Sequence, residues 1–138
     1  MHGEAVFYFN KSETIKPVSL DKCALVKELQ KRLRRLKARF SMFNNFVQKE
    51  INRGNYIEAI ELYRTLTLAS LVEVLRIKNN PFHYDFKTRY VHYELPLKTI
   101  EKLKRLYSVA DEKDLQRKYH KATKWFNEAI LKIGQKDV

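Results

Sequence analysis

The chain has 138 residues, 44% of them hydrophobic, and a formal charge of +12. That length suits one domain with a real core, and the hydrophobic fraction argues against disorder. One cysteine, Cys23, excludes an intrachain disulfide and a cysteine-based metal site. No apolar run approaches a membrane span, and the start MHGEAVFYFNK lacks the marks of a secretory signal. A cytoplasmic protein with no membrane association is the expectation.

Residues 1–18 read differently from the rest. Ala5–Phe9 has strand character, Asn10–Ser12 a turn, and Thr14–Val18 a return strand, which together predict an N-terminal β-hairpin. Residues 19–134 predict an antiparallel four-helix bundle, so the expected whole is one all-α domain over 1–138 with a short appended hairpin.

Ser19 is a plausible N-cap for the first helix. Its apolar stripe runs through Val26, Leu29, Leu33, Leu36, Phe40, Phe43, Val47 and Ile51, in steps of three and four, and Arg53-Gly54-Asn55 supplies the stop. Lys22, Lys27, Lys31, Arg32, Arg34, Arg35, Lys37 and Arg39 stand on this segment against one acid, Glu28. Such a face attracts polyanions, or it is a solvated helix surface. Its lack of interleaved aromatics does not fit a base-stacking platform.

The second helix is predicted from Tyr56 to Arg76. It is apolar nearly all round and so belongs at the centre. Glu73 is notable there: if buried it needs a cation, with Arg76 and Arg89 the nearest choices. Pro96 fits the first turn of a third helix carrying Ile100, Leu103, Leu106 and Tyr107. Asp111 can cap a fourth, with Leu115, Tyr119, Ala122, Phe126, Ala129 and Ile133 on its stripe and Gly134 at its end. Trp125 reads as core or interface.

Between helices two and three lies NNPFHYDFKTRYVHYELP, residues 79–96. Helix connections are usually short, and one this long and rich in aromatic and ionisable groups is where a helical protein would place a site. The candidate substrate-binding residues are Glu73, Arg76, His83, Tyr84, Asp85, Arg89, Tyr90 and His92. An Arg beside a neutral His could bind a phosphodiester and move a proton, the minimum for metal-free RNA cleavage. The same side chains could instead cap helix two and anchor the loop, with an Asp85–Arg89 ion pair pinning it.

The sequence contains no Gly-rich phosphate loop, HExxH, GxSxG or Asp-x-Asp pair. No metal and no cofactor is expected.

The order Leu75-Arg76, then Asn-Pro-Phe-His-Tyr-Asp-Phe over 80–86, Arg89-Tyr90 and Glu94-Leu95-Pro96, followed by a Leu-rich helix and by Trp125-Phe126, resembles the C-terminal helical domain of prokaryotic nucleotidyltransferases. The likeness spans roughly Leu20 to Ile133. It implies a non-catalytic, substrate-binding unit that closes a nucleotide site. A separate catalytic domain or subunit, the implied partner, would supply the Gly-Ser and Asp-x-Asp residues. Nucleotide or nucleic acid is the implied ligand, and a homodimer is a further expectation.

The bundle is also similar to HEPN proteins, many of which carry Arg, four to six residues, then His as an RNase site. Arg76 and His83 meet that spacing, so the alternative is a metal-independent, toxin-like endoribonuclease. The family's common continuation has Tyr two residues after the His; here Asp85 stands there and Tyr84 directly follows His83. A third alternative is a basic nucleic-acid-binding helical module.

Overall fold

Apolar residues recurring every three or four positions can be buried only by laying helix against helix. The computed structural model describes residues 22–83 and 85–136, and among these the architecture is all-helical. The hairpin expected over 1–18 lies outside the described residues.

The first rod is α1 (Lys22–Phe43) followed by α2 (Asn45–Asn52). The second is α3 (Tyr56–Leu62), a π turn (Tyr63–Leu68) and α4 (Ala69–Asn79) in direct succession. A 3-10 turn (Pro81–His83) and α5 (Val91–Glu94) lead to α6 (Leu97–Tyr107) and α7 (Glu112–Lys136). α4 packs on α1 and α7, α2 on α3 and α7, and α6 on α7 and the π turn.

Leu36, Phe40, Val47, Leu71, Val72, Leu75, Ile100, Leu103, Leu106, Leu115, Ala122 and Phe126 meet in one core. Phe40 and Phe126 stack with ring centroids 3.8 Å apart. Each fully buried side chain of this size contributes roughly 1.5–3 kcal/mol of transfer free energy. The second rod is the central one, as its all-round apolar character predicts: Tyr63, Leu68, Leu71, Val72, Val74 and Leu75 are all buried, although Ile57 is exposed.

Four boundaries differ from the periodicity. The first stripe does not run unbroken to Ile51. It is interrupted at Asn44, which is buried. The Asn44 carbonyl accepts from the Tyr119 hydroxyl (3.0 Å) and from the Val47 N–H (3.2 Å), which draws it out of the regular helical ladder. The Asn44 amide donates to Tyr119 Oη and Thr123 Oγ1, each 3.1 Å away, and its Oδ1 accepts from the Thr67 hydroxyl at 2.6 Å. A closed polar knot thus ties three rods together.

The second rod extends to Asn79, beyond Arg76, and its middle is wound as a π turn. Tyr63 and Thr67, four residues apart within that turn, both reach inward: Thr67 to Asn44, and Tyr63 to the Leu106 carbonyl at 2.7 Å. This carbonyl ends α6 and would otherwise lack an intrahelical partner. Burial raises the pKa of Tyr63 and keeps its hydroxyl a donor.

Pro96 sits at the N-cap of α6, one position before the helix proper. Gly134 does not end α7, which continues to Lys136; an interior glycine costs only about 1 kcal/mol against alanine and is tolerated.

The expected stop at Gly54 and the expected N-cap at Asp111 are present. Gly54 has φ +76° and donates to the Ile51 carbonyl, while the Asn55 N–H reaches Glu50 O, both at 3.0 Å. Asp111 Oδ1 accepts the Asp114 N–H (2.8 Å) and Asp114 Oδ2 accepts the Ala110 N–H (2.9 Å), a reciprocal cap on α7. Lys118 Nζ donates to Asp114 Oδ2 at 2.8 Å and Arg117 to Oδ1 at 3.1 Å. These contacts, the Lys118 bond foremost, hold the Asp114 carboxyl far below the usual carboxylate range.

Candidate functional site

The connection between α4 and α6 is organised around Arg76. This residue is 0% exposed, an uncommon place for a permanent cation. Its guanidinium fork explains how it is accommodated. Nε–H donates to the Lys87 carbonyl, Nη2 to the Arg89 carbonyl and Nη1 to Glu94 Oε2. One planar group therefore satisfies two loop carbonyls and a carboxylate. The Phe86 ring lies 6.0 Å from the guanidinium carbon.

The grip on the Lys87 and Arg89 carbonyls shapes the backbone. Lys87 (φ 56°) and Tyr90 (φ 61°) both adopt left-handed conformations, which non-glycine residues visit only when surrounding contacts hold them there. The side chains of Lys87, Arg89, Tyr90 and His92 are left on the outside, and Tyr93 is 88% exposed.

Glu94 is the second organiser, and its other oxygen, Oε1, lies 2.5 Å from His83 Nδ1. A carboxylate at Nδ1 accepts a hydrogen bond from that nitrogen in the tautomer that carries the hydrogen there and leaves Nε2 as the acceptor. The His83 side chain is 34% exposed. It stacks on Phe86, ring centroids 4.4 Å apart and nearly parallel. The Asn80 amide stands 3.3 Å from the same Nδ1.

The residues singled out from the sequence therefore divide. Arg76 and His83 are brought together through Glu94. Asp85, Arg89, Tyr90 and His92 are exposed along the same connection, and Tyr84 lies outside the described residues. Glu73 faces elsewhere: its carboxylate pairs with Arg32 of α1, not with Arg76 or Arg89. The residue sits one turn before Arg76 on the side that meets α1, so the helix it packs against supplies its cation. Glu94 is an acid that pins the connection, through Arg76 and His83. Glu94 was not a sequence candidate; the available signal was an acid directly before Leu95-Pro96, within reach of a basic α4 terminus.

Beside the connection lies a pocket of about 270 Å³ lined by Val72, Thr88, Val91, His92, Ile100, Leu103, Lys104 and Tyr107. Its floor is aliphatic and its polar groups are few, the usual make-up of a small-molecule site. Burial raises the pKa of Tyr107, so the hydroxyl there is a neutral donor.

Elsewhere, the α1 residues Lys27, Lys31, Arg34, Arg35, Lys37 and Arg39 are exposed as a basic surface. Among the described residues, no three His, Cys, Asp or Glu side chains stand together as a metal site, and no helix is long and apolar enough to cross a membrane.

Comparisons with protein-family models, curated proteins and solved structures give no match.

Proposed function

We propose that this chain is a non-catalytic, substrate-binding helical unit of a nucleotidyltransferase system, an antiparallel four-helix bundle of HEPN-like kind. In this reading it works with a separate catalytic domain or subunit. It holds a nucleotide, or a substrate carrying one, against the outer side of the 85–95 connection and in the pocket beside it.

The observation that carries the reading is the inward use of Arg76. By holding the backbone at Lys87 and Arg89, it makes a firm platform whose cationic and aromatic side chains are exposed. The 270 Å³ pocket with His92 and Thr88 on its wall has room for one ring of a ligand. Platform and pocket together offer stacking, hydrogen bonding and phosphate attraction.

Co-expression with a minimal nucleotidyltransferase tests this. A stable complex is expected, with nucleotidyl transfer that weakens when Arg89→Ala or His92→Ala is introduced here. Failure to associate with any candidate catalytic subunit rejects the reading.

One observation favours a second reading, a HEPN-type metal-independent endoribonuclease. Glu94 orients His83 as a carboxylate orients a general-base histidine. Because Arg76 is buried, Lys87 or Arg89 would have to meet the phosphate. RNA cleavage by pure protein in EDTA, abolished by His83→Ala, supports this; intact RNA removes it.

A further inference from the structure

On the far side of α6 from that pocket, where α6 crosses α7, lies a second groove of about 400 Å³. Its walls carry Lys102 and Arg105 from α6 and Lys118, Lys121, Lys124 and Trp125 from α7, with Glu128 the one acid. Lys118 is occupied, donating to Asp114 and to the Ser108 carbonyl that follows α6. Lys102, Arg105, Lys121 and Lys124 form no ion pair among the described residues.

Like charges gathered in one concavity repel each other, and they focus an attractive field on an anion. The Trp125 indole is half-buried against the core, and Lys102 Nζ stands 4.0 Å over its ring. The remaining indole surface is a stacking face with cations around it.

We propose that the α6–α7 groove binds a nucleoside polyphosphate, its base on Trp125 and its phosphates among Lys102, Arg105, Lys121 and Lys124. A planar aromatic base matches the indole, and stacking of this kind tolerates any base. Four cations around one niche match several negative charges at one point, as in a triphosphate. A nucleic-acid strand would spread its charges at one per nucleotide. Lys102 is a long, flexible side chain and can leave the ring for the phosphates when a base stacks. Lys118 is a positioning residue: it ties α7 to the end of α6 and so fixes the width of the groove. This inference stands independently of the reading of the 85–95 connection.

Trp125 is the only tryptophan in the chain, so tryptophan emission, excited selectively over the tyrosines, reports this groove. ATP in EDTA is expected to quench Trp125 emission saturably, and inorganic tripolyphosphate to compete it off. The exposed double reversal Lys121→Glu/Lys124→Glu is expected to weaken ATP by about tenfold or more, from the loss of local field. Arg34→Glu/Lys37→Glu makes the same change in net charge on α1 and is expected to leave affinity within about twofold, since distant exposed charges are screened. Far-UV circular dichroism verifies that both variants fold. Absence of saturable quenching, equal weakening by the two double variants, or tighter binding of a single-stranded oligonucleotide than of ATP overturns the proposal.

Discussion

Arg76 and Glu94, eighteen residues apart in the chain, form an ion pair in which the arginine is wholly buried and the carboxylate only 15% exposed. Removing one partner of such a pair leaves the other as an uncompensated charge, and here two loop carbonyls as well. Arg76→Ala is therefore expected to lower unfolding free energy by about 3–5 kcal/mol, measured by urea denaturation. Arg76→Lys is expected to recover only part of this, because an ammonium cannot reproduce the flat fork. A variant as stable as the parent would show that the connection does not depend on this residue.

Glu94→Gln separates the local from the global role of the carboxylate. The amide keeps the shape and one acceptor but loses the charge shared by Arg76 and His83. Amide hydrogen exchange is expected to quicken over residues 85–95 while α7 stays protected. Unchanged exchange in that segment would place its rigidity elsewhere.

Asp114 gives a pH dependence with a defined sign. Its folded-state pKa is depressed, chiefly by the Lys118 bond, then by the Ala110 N–H and Arg117. Its stabilisation is thus fully present above the unfolded value of about 3.9 and is lost as pH falls below that toward the folded value. The parent is expected to lose more stability than Asp114→Asn on acidification from about pH 5. Parallel acid titrations of the two proteins would contradict the cap described for α7.

The knot around Asn44 is expected to behave as a unit. Asn44→Leu strands the Thr67 hydroxyl, at about 1–3 kcal/mol for a buried group left unpaired, and removes the donor to Tyr119 Oη and Thr123 Oγ1, while the Tyr119 hydroxyl keeps the residue-44 carbonyl. Thr67→Val removes one member and leaves Asn44 Oδ1 without that donor. The double variant should be less destabilised than the two single losses added together, because the groups share bonds. Strict additivity in thermal or urea melts would argue against a shared network.

The sequence made the rods legible because each buries one side, and burial writes itself as a period of three and four. Leu36, Phe40 and Val47 could be assigned to the core on that ground, and Asp111 and Gly54 to helix ends on backbone chemistry. Asn44 was not legible: it sits in the stripe's phase between Phe40 and Val47, but nothing in its neighbours shows that Tyr119, 75 positions on, completes its bonds. The partner of Glu73 was misjudged for a similar reason, since nearness in sequence favoured Arg76 while packing delivered Arg32. Arg76 itself was legible as important but not in its direction. A basic residue at a helix end looks solvent-facing until the loop that folds over it is known. The α6–α7 groove was hidden because Trp125 and Lys102 lie on different helices, and each alone looks ordinary.

The π winding at Tyr63–Leu68 has a consequence for how this chain tolerates length changes. The wide turn can take up one extra residue there, whereas a residue gained or lost in the regular helix on either side rotates everything beyond it by about 100°. Deleting Ser70, in the regular helix beyond the turn, would swing the Arg76 end of the rod away from Glu94, while the hydrophobic composition stayed the same. The expected product is a collapsed chain that keeps much of its far-UV circular dichroism but loses cooperative melting. A rod of this kind accepts substitutions far more readily than it accepts miscounting.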